Sequence, residues 1–241
     1  MTDGPTRQSG LRLAIDTSGP LCAAGLYEGE TERGRSVRDI GRGHSETIVS
    51  CCTDALAAAG VDWTAIGSVA VNVGPGSFTG IRAGVAAARA LGLSLDVPVA
   101  GVTAFDAFAA LADGPVLVAI DARRGQIYAR LPSDSANRGG SMVGSAAEVA
   151  AQVNPTGDPL VLVGSGARAL LEALPAGAAI LASREGAPWL DAQPDIAGTN
   201  LAAARGNLVD PEPFYLRAAD ALPARPSGVL APRARNAEAT L

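Results

Sequence analysis

The sequence predicts an α/β protein built from two similar halves. Two observations carry this. "LAIDTSGPLCAAGLY" (Leu13 to Tyr27) and "VAIDARRGQIYARLP" (Val118 to Pro132) share an apolar run, an aspartate at the same place, a glycine turn and a returning strand. "SVAVNVGPGS" and "PLVLVGSGARALLEAL" are then each a strand, a glycine loop and a helix. Self-similarity on this scale points to a repeated supersecondary unit. Asp16 and Asp121 hold equivalent places in it.

Taken in order, the first half opens with a buried strand that turns at Gly19-Pro20. Ser45 is placed to cap a helix that runs to about Ala59 and stops at Gly60. Ile48, Cys52, Leu56 and Ala59 recur there at helical spacing. Strand and loop through Gly74, Gly76 and Gly80 lead to an alanine-rich helix over Ile81 to Leu93. After "VPVAGV" a further helix is expected over Thr103 to Ala112. In the second half "AAEVAAQV" reads as helix, "AAILAS" as strand and "DIAGTNLAAARG" as a last helix before "DPEPFYLR". This divides the chain into 11–113 and 114–217. The first ten residues and the Pro/Ala/Arg-rich 218–241 read as disordered tails.

The chain has 241 residues, of which 48% are apolar and 4% aromatic, so a core forms mainly from Ala, Gly and Val packed closely. The net charge of −5 offers no electrostatic footprint for a nucleic-acid backbone, so direct, unaided binding of tRNA or DNA is not expected. All 19 basic residues are arginine. This removes a P-loop amine, a Schiff base and a Ser-Lys dyad. Cys22, Cys51 and Cys52 form no disulfide framework. "MTDGPTRQSG" lacks a signal-peptide core, and Arg89 and Asp96 interrupt the longest apolar run. No membrane span is expected, and the cytoplasm is the expected compartment.

The candidate chemistry is thin. A P-loop needs Lys after its last glycine, and Ile81 stands there. A dinucleotide loop needs a third glycine where Thr79 stands; "GSGARA" (Gly164 to Ala169) fits only the loose pattern. Amides at a helix start attract anions, yet such glycines equally allow close helix–sheet contact. The one histidine, His44, lies two helical turns from Cys51, too far for one zinc ion, and reads as a solvated residue at a helix start. Ser77 lacks the flanking glycines of a nucleophile elbow. No metal site is expected. Asp16 with Thr17 and Ser18 either holds hydrated magnesium near phosphates or closes its own turn through the backbone. In the second hairpin Arg123 and Arg124 replace Ser18 and Gly19.

"LAIDTS", "NVGPGSFTGIRAG", "VPVAGVTAFDAFA" and "EPFYLR" resemble the TsaB (YeaZ) family over about Leu11 to Arg217. The resemblance implies the duplicated actin-like ATPase fold shared with sugar kinases and Hsp70. It implies a non-catalytic partner of TsaD, which transfers threonylcarbamoyl to N6 of adenosine 37 in tRNAs reading codons that begin with A. TsaC supplies the activated intermediate, TsaE is a further ATPase partner, and tRNA is met only through the complex. The metal motif of TsaD, HxxxH, falls on Ala104 and Phe108, neither of which binds metal. The family pairs through the two helices of the N-terminal half, giving TsaB–TsaD heterodimers or, without TsaD, homodimers. The residues this implies for the interface are Cys52, Leu56, Gly80, Gly84, Ala87, Ala88 and Leu91. Gly80, Gly84 and Ala88 form a strip of small side chains; if it faces a partner, Gly84→Leu and Ala88→Glu should separate the pair and leave the chain folded. No tightly bound cofactor is expected. Asp16, Thr17, Ser18, Gly74, Gly76 and Ser77 are the residues for a vestigial contact with weakly held ATP or ADP and magnesium. A kinase or ATPase of the same fold is the alternative; a protease finds neither a triad nor a metal pair.

Overall fold

The computed structural model describes residues 10–112, 114–133, 138–153, 160–176, 178, 180–181 and 196–217. The tails expected to be disordered, 1–10 and 218–241, lie outside these residues except for Gly10.

The first half runs β1 (Leu11–Asp16), β2 (Leu21–Glu28), β3 (Thr31–Asp39), α1 (His44–Ala59), β4 (Ile66–Asn72), α2 (Phe78–Leu95), β5 (Val99–Val102) and α3 (Ala104–Ala110). The second runs β6 (Val116–Asp121), β7 (Gln126–Ser133), β8 (Arg138–Ser145), α4 (Ala146–Ala150), β9 (Leu160–Val163), α5 (Ala167–Ala173), β10 (Ile180–Leu181) and α6 (Ile196–Ala204). The sheets are ordered β3-β2-β1-β4-β5 and β8-β7-β6-β9-β10. In each, the first three strands are antiparallel and the last two run parallel to the first. The halves therefore repeat one topology element by element, as the repeated motifs predict. This is the duplicated actin-like ATPase fold.

Period-2 alternation explains the layers. Leu13 and Ile15 of β1, with Cys22, Ala24 and Leu26 of β2, face α1 and α2. Ala14, Ala23 and Tyr27 face the other way, toward Ile196 of α6. In the second sheet Leu117 and Ala119 face α4 and α5, while Val118 and Ile120 pack on Phe105 and Phe108 of α3. The last helix of each half thus covers the other half's sheet. α3 and α6 meet between the sheets, so closely that a Cβ on Gly198 would lie 2.3 Å from the Ala107 carbonyl oxygen. Arg12 Nη1 donates to Asn200 Oδ1 at 3.0 Å, and Arg205 Nη1 donates to the Ala110 carbonyl at 2.9 Å.

Two expectations change. β3 and β8 are full strands that the sequence pattern does not announce. α1 begins at His44, one residue before Ser45, with Gly43 left-handed at its start and no side-chain cap. His44 is buried, not solvated, and its Nε2 has no hydrogen-bond partner among the described residues. Among the described residues no helix is long and apolar enough to cross a membrane.

Candidate functional site

The two signature loops of the first half meet at the ends of β1 and β4. Asp16 ends an apolar strand and is buried there with Thr17 and Ser18. Its Oδ1 accepts from the Ser18 N–H and Ser18 Oγ, both at 2.8 Å. Its Oδ2 accepts from Asn72 Nδ2 at 2.7 Å. Asn72 in turn accepts from the Gly74 N–H at 2.9 Å. The turn-closing reading of Asp16 is therefore realised, and Asn72, which sequence reasoning overlooked, joins the two loops. Its signal was present: one polar residue ends the apolar run of β4 just as Asp16 ends that of β1.

The glycine loop closes onto this turn. The Ser77 N–H donates to the Ser18 carbonyl at 2.7 Å. A Cβ on Gly76 would lie 2.2 Å from that same carbonyl oxygen, and one on Gly80 would lie 2.1 Å from the carbonyl oxygen of Thr17. Thr17 Oγ1 donates to the Gly80 carbonyl at 2.8 Å. Ser77 caps α2 by accepting from the Gly80 N–H. Asp16, Thr17, Ser18, Gly74, Gly76 and Ser77 are thus brought together, and the polar groups named here bind one another. Gly74 is the position where the turn itself needs glycine, with φ near +100°.

The second half repeats the arrangement with different chemistry. The Asp121 N–H is held by Ser165 Oγ at 3.0 Å, and Asp121 Oδ1 accepts from the Arg123 N–H at 2.8 Å. Asp121 is exposed where Asp16 is buried. Gly164 and Gly166 of "GSGARA" lie against the backbone of β6. Close packing accounts for these glycines.

α2 lies with one face on β1 and β4. Gly80, Gly84 and Ala88 are buried on that face, and Cys52 and Leu56 of α1 are buried beside them. A Cβ on Gly84 would meet Thr17 Oγ1 at 2.3 Å. The strip of small residues therefore faces the chain's own sheet, which corrects its reading as a surface open to another helix. Ala87 and Leu91 are half-buried at the margin of the same core. The outward side of the helix pair carries Val49, Thr53 and Ala57 from α1 and Arg82, Ala86, Arg89, Ala90 and Leu93 from α2. Leu93 is 88% exposed and Val49 54%, so large apolar side chains stand in water on this side, interleaved with Arg82 and Arg89.

The "EPFYLR" segment is a strap over both halves. Val209 pairs with Gly101 at the edge of β5, and the Phe214 N–H donates to the Val73 carbonyl at 2.8 Å. Phe214 packs against the cores on both sides. Tyr215 lies 5.0 Å from Phe78, and its hydroxyl accepts from Arg82 Nε at 2.9 Å. Arg217 donates to the Ala122 carbonyl at 3.1 Å and to Gln126 Oε1 in the second sheet. The three cysteines are buried free thiols, and burial pushes Cys52 up to about 12.

The family model described as TsaD, tRNA N6-adenosine threonylcarbamoyltransferase, matches residues 38–171. An uncharacterized protein of Mycobacterium tuberculosis is 37% identical over 213 residues, which span 88% of this chain and 93% of that protein. The tRNA threonylcarbamoyladenosine biosynthesis protein TsaB of Escherichia coli is 36% identical over 121 residues, 48% of this chain and 52% of its own length. A crystal structure from Pseudomonas aeruginosa, described as similar to peptidase YEAZ, is 26% identical with a TM-score of 0.68, covering 86% of this chain and all of the other. The matched family model, these relatives and the two interlocked loops agree, and the chain belongs to the TsaD family of tRNA N6-adenosine threonylcarbamoyltransferase-related proteins, among its TsaB/YeaZ members.

Proposed function

We propose that this chain works in threonylcarbamoyladenosine biosynthesis as a non-catalytic subunit, and that a TsaD-type protein docks on the outward side of α1 and α2. The observation that carries this reading is the exposure of the apolar Val49, Ala86, Ala90 and Leu93 on the outward side of α1 and α2, among Arg82 and Arg89, while the small-residue strip is already used inside the chain. Apolar side chains grouped on one helix pair are what a partner's core contact requires. In the absence of TsaD a second copy takes the same place, and TsaE joins the larger assembly. The non-catalytic reading is supported by Ala104 and Phe108, buried apolar residues at the two positions matched to the metal histidines of TsaD. It is supported equally by Asp16, whose carboxylate oxygens accept from Ser18 and Asn72.

The test is Ala90→Glu and Leu93→Glu, titrated calorimetrically against the TsaD-type subunit of the same organism. Each carboxylate sits in water in the free chain, so the melting temperature should stay within about 2 °C of wild type. In the complex it would be buried without a partner, at a cost of about 3 kcal/mol, which raises Kd by about a hundredfold. Modified tRNA in cells should fall accordingly. Folded variants with wild-type affinity would place the partner elsewhere.

A further inference from the structure

Three thiols lie where α1 packs on its sheet, and their surroundings differ. Cys22 of β2 and Cys51 and Cys52 of α1 are all fully buried. Cys22 and Cys51 are hydrogen-bonded to one another through their sulfurs. Cys51 Sγ also lies 3.3 Å from the Cys22 carbonyl oxygen, so helix and strand touch at this pair. Cys52 is turned about 100° further round the helix. It shares the burial without the polar partners: desolvation, and then the neighbouring Cys51 sulfur, push it up to about 12.

The polar partners come from the sheet edge. β3 is the edge strand, and its half-buried Ser36 and Arg38 stand opposite Ala24 and Cys22. Cys51 Sγ lies 3.1 Å from the Ser36 carbonyl oxygen and 3.3 Å from Ser36 Oγ. Arg38 crosses from β3 to α1, where it donates to Ser50 Oγ at 2.9 Å and to Asp54 Oδ2. Its positive charge acts on both sulfurs. The carbonyls of Cys22 and Ser36 accept the Cys51 proton at rest. Once that proton leaves, the sulfur accepts from the Cys22 thiol, the Ser36 hydroxyl and the Ala24 N–H. The Cys22 thiol first, then Ser36 and Arg38, hold Cys51 below the ordinary thiol range against the cost of burial. The same hydrogen bond, with burial, pushes Cys22 up. An attacking thiolate thus stands beside a protonated thiol, the arrangement of a sulfur that is oxidised and one that resolves it. Ser36 and Arg38 are themselves half-exposed, so local opening of the edge strand suffices to admit a molecule as small as hydrogen peroxide.

We propose that Cys51 and Cys22 are a peroxide-reactive pair, in which hydrogen peroxide oxidises Cys51 and Cys22 resolves it to a disulfide that ties α1 to β2. The Cys51 thiolate attacks one peroxide oxygen. An S–O bond forms, the O–O bond breaks, and the departing hydroxide takes up the proton that Cys51 released. The Cys22 sulfur then attacks Cys51. The S–S bond forms, the S–O bond breaks, and water leaves with the Cys22 proton. Two electrons from the two sulfurs reduce one peroxide to two waters. The chemistry concerns these side chains alone and does not rest on the proposed partner.

The test treats the full chain, reduced and then freed of reductant, with hydrogen peroxide at neutral pH. Thiols are then located by alkylation and peptide mapping with tandem mass spectrometry. Wild type should lose two thiols, gain the Cys22–Cys51 disulfide and keep Cys52 as a thiol. Cys51 should be consumed about tenfold faster than the equally buried Cys52. In Cys22→Ser the sulfenic acid at Cys51 should persist and be trapped by dimedone. In Cys51→Ser the Cys22 thiol should survive the same treatment. Circular dichroism checks that both variants fold, and the wild-type map decides the matter if either does not. A folded wild-type chain whose three thiols all survive peroxide would overturn the proposal. So would oxidation of Cys51 and Cys52 at one rate, or a disulfide that joins Cys51 to Cys52 or to a second chain.

Discussion

Gly84→Leu should destabilise the fold by about 1–5 kcal/mol and lower its melting temperature markedly. The first carbon of the new side chain would stand 2.3 Å from Thr17 Oγ1 and 3.6 Å from Val71 Cγ2. Thr17 is fully buried and its hydroxyl is committed to the Gly80 carbonyl. It has no room to turn away without breaking that bond. Overpacking costs about 1–3 kcal/mol, and a buried hydroxyl and carbonyl left unpaired add about 1–3 kcal/mol. Leucine's helix propensity returns about 1 kcal/mol over glycine and does not change the outcome. The net loss is a large share of the roughly 5–15 kcal/mol that holds a domain together. Gly80→Ala is the smallest form of the same test, with its Cβ 2.1 Å from the Thr17 carbonyl oxygen. Thermal melts followed by circular dichroism decide it. A Gly84→Leu chain that melts like wild type and only loses its partner would put the strip on the outside of the molecule after all.

That contrast marks where sequence reasoning succeeds and where it stops. The buried strands β1, β4, β6 and β9 are short apolar runs that end at a polar or glycine turn, and they are visible as such. Their repetition reveals the duplicated topology. β3 hides because it is an edge strand with the exposed polar sequence TERGRSVRD; Gly34 interrupts it, where a Cβ would lie 2.4 Å from the Ala55 carbonyl of α1. β8 hides behind its glycines and serines. The crossing of α3 and α6 onto each other's sheets leaves no local mark, since an alanine face reads the same against any neighbour. α2 illustrates the same ambiguity. Gly80, Gly84 and Ala88 show that something comes close, but Ala86 and Ala90 on the opposite side are almost as small. Only the position of Thr17 in space tells which side meets the sheet. The strap is the converse case. "EPFYLR" stands out as a motif, and its role needs partners more than ninety residues away at Ala122 and Gln126.

Asp16 and Asn72 provide the second large expected effect, and it separates a structural aspartate from a catalytic one. Asp16→Ala removes the acceptor of three donors, the Ser18 N–H, Ser18 Oγ and Asn72 Nδ2. All three sit in buried residues. At about 1–3 kcal/mol for each buried group left unpaired, the loss is about 4 kcal/mol. At about 2–4 °C per kcal/mol for a chain of this size, the melting temperature should fall by roughly 8–16 °C. Asp16→Asn alone sets one amide's donors against the other's. Asn72→Asp alone sets two carboxylates face to face in a buried site, the costlier arrangement. The exchange Asp16→Asn/Asn72→Asp restores a donor facing an acceptor. The amide oxygen at position 16 still accepts from Ser18, its nitrogen donates to the carboxylate at 72, and the second oxygen at 72 accepts from the Gly74 N–H. A double-mutant cycle should therefore show favourable coupling of about 2–3 kcal/mol. Affinity for the TsaD-type subunit should return with the stability, because the joined loops hold the start of α2 in place. If Asp16 were instead a magnesium or general-base carboxylate, the exchange would restore the melting temperature and leave function absent. An exchanged chain no more stable than Asn72→Asp alone would show that the bond between the two loops is not what Asp16 provides.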